Sequence, residues 1–138
     1  MKRRAPIKRK KRVSKRPKAP RKRLKAECDR LFSRFIRLRD GVCRLCNSTA
    51  YLQCAHLFSR RYYGTRWSPV NAWALCRACH VRYTYRPLEW DEVLRETLGE
   101  LYEPTRTRAL FEGMPDLEAT KRDLQYLVAR YEKLSGSC

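Results

Sequence analysis

The chain has 138 residues, enough for one compact domain with extensions, and carries 33 basic against 14 acidic side chains, a formal net charge of +19. A field of that sign draws polyanions, and nucleic acid is the default partner because neutralising phosphates releases counterions. No apolar run approaches the roughly 20 residues that span a bilayer, and no apolar stretch follows Met1-Lys2-Arg3-Arg4 as a secretory signal requires, so no membrane partner is expected and an intracellular location is.

Residues 1–26 hold fifteen Lys or Arg and no acid. Together with Pro6, Pro17 and Pro20 this predicts a disordered basic arm over residues 1–23, serving either as a solubilising tail or as a non-specific grip on phosphates. From Leu24 the pattern changes. Cys28, Leu31, Phe32, Phe35 and Leu38 recur at helical spacing and mark a core face, with Gly41 as terminator. Arg34 and Arg37 alternate with that face and belong either to solvent or to a phosphate backbone.

Seven cysteines raise the question of disulfides, but four of them form two Cys-x-x-Cys turns, Cys43/Cys46 and Cys76/Cys79, separated by 29 residues. Each such turn presents two thiolates to one ion without strain, and two turns complete a tetrahedral zinc shell. A shell of four thiolates leaves no position for water or substrate, so this zinc is expected to be structural. Cys28, Cys54 and Cys138 remain, an odd number that suits no closed disulfide framework.

Between the turns, residues 51–57 are predicted as a strand and residues 58–72 as a loop rich in arginine and aromatics, followed by a short helix from Cys76 to about Arg86. Threaded through this region are His56, Asn71 and His80. Phosphodiester hydrolysis needs a base for the attacking water and positive charge at the scissile phosphate. His56 is assigned as the base, Asn71 as the group that orients it, and His80 as a ligand of a second, catalytic Mg2+ or Mn2+. On the loop, Arg60, Arg61 and Arg66 are candidate phosphate contacts beside Tyr62, Tyr63 and Trp67, aromatics that either stack on bases or fill the core.

The order of strand histidine, loop asparagine and helix histidine between paired Cys-x-x-Cys turns resembles the zinc-stabilised HNH, or ββα-metal, nucleases. The runs Leu31 to Asp40, Gln53-Cys54-Ala55-His56-Leu57-Phe58-Ser59-Arg60, Arg66 and Asn71, set around the two zinc turns, resemble more closely the NinG/Rap recombination proteins of lambdoid bacteriophages, over about residues 24–100. That resemblance implies a metal-dependent endonuclease in the host cytoplasm, acting on branched or partly single-stranded DNA such as D-loops and Holliday junctions. Two positions depart from these patterns. Ala55 stands where ordinary HNH enzymes carry a metal ligand, and His80 stands where NinG-like proteins often have Asn. Ala55 favours the alternative, a non-catalytic zinc-stabilised DNA-binding module.

Beyond Pro87 the charge turns acidic and two helical stretches follow, the first interrupted by Gly99 and breaking at Glu103-Pro104, the second running through Leu117, Leu124, Val128 and Leu134. These helices are expected to pack on the domain; a homodimer placing two active sites on a junction would use them as its interface. The expected fold is therefore α+β: a treble-clef or ββα-metal core over 24–87, an N-terminal helix, and a helical extension over 88–138.

Overall fold

The computed structural model describes residues 20–136, so most of the basic arm and Cys138 lie outside the described residues. The first helix, α1 (Pro20–Asp40), starts inside the segment assigned to the arm. Proline suits a first helical turn, where its missing N–H has no intrahelical partner to lose. The helix buries Cys28, Phe32, Phe35 and Ile36 and ends where expected: Gly41 takes φ +67°, and its N–H reaches the Arg37 carbonyl at 3.0 Å.

A two-stranded antiparallel sheet follows, β1 (Leu52–His56) and β2 (Ala72–Cys76), with Leu52 opposite Cys76 and His56 opposite Ala72. The sequence pattern assigned no element to most of β2 and placed Ala72 in the loop. All five β2 residues are buried, so the strand lacks the inside–outside alternation that marks a half-exposed one. Helix α2 (Arg77–Thr84) leaves β2 directly, with Cys76 as its cap.

Three helices complete the chain: α3 (Pro87–Leu98), α4 (Tyr102–Phe111) and α5 (Leu117–Ser135). The break expected at Glu103-Pro104 is absent. The interruption expected at Gly99 is present, as a 3-10 turn at Gly99–Leu101, and Pro104 sits in the first turn of α4, where the ring is tolerated. Helix α5 starts at Asp116, whose Oδ1 accepts the Ala119 N–H at 2.7 Å. Among the described residues, no helix is long and apolar enough to cross a membrane.

The architecture is α+β, with the hairpin between two apolar clusters. On one side α1 and α5 close over Phe32, Phe35, Ile36, Trp67, Ala72, Ala74, Leu124 and Val128. On the other, α3 and Tyr102 cover Ala55, Leu57, Trp73, Leu75 and Leu94. The C-terminal helices thus share the cores of the central region, and emptying a site such as Phe32 to Ala costs about 3–5 kcal/mol. The loop between the strands is held against the end of α4 at Gly64. A Cβ there would lie 2.6 Å from the Arg108 carbonyl, so only glycine permits the approach.

Candidate functional site

Cys43 and Cys46 lie on a tight turn after α1, in which the Cys43 N–H donates to the Ser48 carbonyl at 2.8 Å and the Asn47 N–H to the Cys43 carbonyl at 2.9 Å. Asn47 adopts φ +60°, a conformation asparagine tolerates better than most residues. Cys76 ends β2 and Cys79 lies in the first turn of α2. The four sulfurs lie within 4.8 Å of one another and form a candidate zinc site. Burial works against ionising Cys43, but N–H groups of Cys76, Leu45 and Cys46 aimed at its sulfur outweigh it and hold the thiol near about 6. Burial, and then proton sharing with its three neighbours, pushes Cys79 up. One stabilised thiolate beside reluctant thiols is a set in which a divalent cation would stabilise the deprotonated form of all four.

The remaining cysteines do not join this set. Cys28 is buried, its S–H donating to the Leu117 carbonyl at 3.6 Å, and burial pushes the Cys54 thiol up to about 12.

Between the hairpin and helices α2 and α3 lies an open cleft of about 680 Å³, lined among others by Ala55, His56, Arg61, His80, Thr84 and Trp90. The two histidines, 24 positions apart in sequence, therefore face one space. His56 Nε2 lies 2.8 Å from the Arg66 carbonyl. A carbonyl only accepts, so Nε2 carries the proton and Nδ1 keeps the lone pair. The ring tilts against Phe32 at 5.5 Å between centroids, and burial lowers the His56 pKa, favouring the neutral base. His80 Nδ1 lies 2.7 Å from Gln53 Oε1; by the same logic Nδ1–H donates and Nε2 keeps its lone pair.

The assigned roles are partly redistributed. The Asn71 side chain bonds the loop backbone and not His56. It is fully buried, with Oδ1 accepting the Phe58 N–H at 2.8 Å and Nδ2 donating to the Phe58 and Thr65 carbonyls at 3.1 and 3.0 Å. All its hydrogen-bonding capacity toward these partners is spent on loop backbone, so it shapes the loop that carries the Arg66 carbonyl. Arg66 is likewise engaged: its guanidinium grips Asp29 through two bonds, at 2.9 and 2.6 Å, and reaches the Arg60 carbonyl at 3.0 Å. Trp67 is core, with Nε1 donating to Asp29 at 2.9 Å, and Trp73 is core as well.

Of the arginines assigned to phosphate contact, Arg60 and Arg61 on the loop and Arg34 and Arg37 on α1 are exposed. Arg61 lines the cleft. Arg34 pairs with Glu132 of α5, and Arg37 Nε donates to the Ser33 carbonyl at 3.1 Å. The sequence assigns no bonding role to Asp29, Gln53, Arg39 or Asp40, though each organises this region. Arg39 and Asp40 tie the end of α1 to β2, Asp40 Oδ2 accepting the Ala74 N–H at 2.7 Å and Arg39 donating to the Ala72 carbonyl at 2.8 Å.

For a divalent ion the cleft offers the free Nε2 of His80. Its lining has no carboxylate, and Ala55 contributes none. That is one imidazole from the protein, a sparse set for a hard cation that is ordinarily held through carboxylates. No protein-family model matches the chain, and no curated protein or solved structure matches it.

Proposed function

We propose that this protein is a zinc-stabilised, HNH-type endonuclease that hydrolyses DNA phosphodiesters, with branched intermediates of bacteriophage recombination as the substrates its resemblance to NinG/Rap implies. The observation that carries the reading is His56. Its Nε2–H is committed to a backbone carbonyl, its pKa is lowered by burial, and its ring lines the cleft shared with His80 and Arg61.

In this mechanism the zinc shell of Cys43, Cys46, Cys76 and Cys79 joins the turn after α1 to the start of α2 and takes no part in bond making. The Arg61 guanidinium binds the phosphate in the cleft. His56 Nδ1 accepts a proton from the water whose oxygen bonds to phosphorus as the bond to the leaving sugar oxygen breaks. A Mg2+ or Mn2+ ion held by His80 would supply charge stabilisation at the scissile phosphate. Gln53 keeps the His80 Nε2 lone pair free for that purpose.

Ala55 and a cleft lining without carboxylates favour a second reading, a DNA-binding module on the same frame that lacks the chemistry. One experiment separates the two. Zinc-loaded protein and a His56→Ala variant are incubated with branched and linear DNA and Mg2+ or Mn2+. Wild type should cleave and the variant should bind equally well but cut at least about 100-fold more slowly, as loss of a general base demands. Binding without cleavage by wild type under either metal would refute the enzyme reading and leave the binding module.

A further inference from the structure

We infer that Asp29, on α1, is a positioning residue for His56: its carboxylate holds the Arg66 side chain so that the Arg66 carbonyl stays in place to receive the His56 Nε2–H. The mechanistic meaning of this inference rests on the base role proposed for His56, whereas the contact itself does not.

Asp29 and His56 belong to different elements, 27 positions apart in sequence. The link between them is a short chain of bonds. Asp29 Oδ1 accepts Arg66 Nε at 2.9 Å and Oδ2 accepts Nη2 at 2.6 Å, a two-point fork that fixes direction as well as distance. Trp67 Nε1 adds a third bond to Oδ1, at 2.9 Å. The Arg66 carbonyl then meets His56 Nε2 at 2.8 Å.

Other restraints share this stretch: the Trp67 side chain is buried in the core, and the Ser68 N–H bonds the Thr65 carbonyl at 3.0 Å. The Arg66 N–H makes only a long bond, 3.4 Å, to the Tyr63 carbonyl, and the nearest anchor supplied by Asn71 is the carbonyl of Thr65. The fork is also well shielded, the Arg66 and Asp29 side chains being 14% and 27% exposed. Burial opposes ionisation of Asp29, but the bonds and charge of Arg66 hold its carboxyl below the usual range, so the fork persists at neutral pH.

Phe32 lies three residues further along α1 and supports the His56 ring directly. One helix therefore fixes the histidine twice, by ring contact from Phe32 and by tautomer control from Asp29. A neutral imidazole free of the Arg66 carbonyl divides its proton between the two nitrogens. A base whose Nδ1 must be unprotonated loses the fraction that carries the proton there.

The test uses full-length, zinc-loaded protein with 15N-labelled histidine. In wild type, long-range 1H–15N spectra should show His56 as the Nε2–H tautomer. In Asp29→Asn, which keeps the shape but loses the ionic fork, both tautomers should appear. The value of kcat on DNA should then fall at least by the factor by which the Nε2–H population falls, about twofold where the two tautomers are equal, with KM within about twofold. In a His56→Ala background the same substitution should cause no further loss. Trp67→Phe, which removes the third bond and some core volume but leaves the fork, should lower thermal stability and leave the tautomer unchanged.

Should Asp29→Asn not fold, Arg66→Lys keeps the charge, breaks the fork and is read in the same spectra. An unaltered tautomer in a folded fork variant overturns the inference. So does a Trp67→Phe tautomer shift as large as that of Asp29→Asn, which would mean general loosening of the loop. A shifted tautomer together with a His56→Ala variant that cleaves like wild type supports the positioning contact and defeats the proposed base.

Discussion

Replacing Asn71 with alanine should cost stability rather than simply activity, and the structure sets the size of the effect. The Asn71 side chain is fully buried and makes three hydrogen bonds to backbone, two to Phe58 and one to Thr65. Each bond contributes about 1–1.5 kcal/mol net, and the Phe58 N–H would be left without its acceptor, the more expensive kind of loss. The total is about 3–5 kcal/mol, a large part of the roughly 5–15 kcal/mol that holds a domain together. Urea unfolding followed by circular dichroism measures it, with zinc held at one fixed excess in both proteins because metal binding and folding are linked. Asn71→Asp is a sharper variant, since it keeps the acceptor for Phe58 but turns an oxygen toward two carbonyls; it should lose at least as much. A loss below about 1 kcal/mol in Asn71→Ala would refute the reasoning. If stability held while cleavage vanished, Asn71 would instead act directly on His56.

Three further outcomes follow from the site. Metal analysis should find about one tightly held zinc per chain, lost together with cooperative unfolding in a Cys76→Ser/Cys79→Ser variant; a folded, zinc-free protein would defeat the assignment. Because His56 has a folded pKa below its ordinary 6.5, the unfolded chain takes up that proton first. The contribution of His56 is therefore flat above pH 6.5, and stability is lost as pH falls from there toward the folded pKa; His56→Gln should reduce that slope in urea unfolding at stepped pH, and an unchanged slope contradicts it. Finally, Arg61→Ala should weaken DNA binding alike for unrelated sequences and reduce the salt slope by about 0.9, with little change in Tm, whereas Arg66→Ala should chiefly lower Tm; filter binding and thermal melts that reverse this pattern would overturn the division of roles.

What was legible in the sequence was what short-range periodicity encodes. The apolar residues of α1 recur every three or four positions, the zinc turns have their own spacing, and Gly41 closes its helix. Strand β2 escaped because Ala72-Trp73-Ala74-Leu75-Cys76 is buried on both faces and contains no β-branched residue. The Pro104 break was misplaced because proline stops a helix only from its interior, and here it helps to start one. The roles of Asn71 and Arg66 were misassigned for a different reason. Composition marks an arginine as a candidate phosphate ligand, but its partner Asp29 lies 37 positions away, on helix α1. Pairings of that range exist only once the chain has folded.

The junction of α1 with β2 has a consequence for how the protein behaves at high concentration. A two-stranded sheet has two open sides, each a template for another chain. On the side of β2 away from β1, the Ala74 N–H is taken by Asp40, the Ala72 carbonyl by Arg39, and the Ala74 carbonyl by the Arg44 N–H at 3.0 Å. Side chains at the end of a helix thus occupy the place of a third strand. Recruitment of further chains along that side is blocked by residues that also terminate α1, so fraying of the helix end would unmask a self-associating edge. Protein stocks that lose this corner should therefore cloud before they unfold.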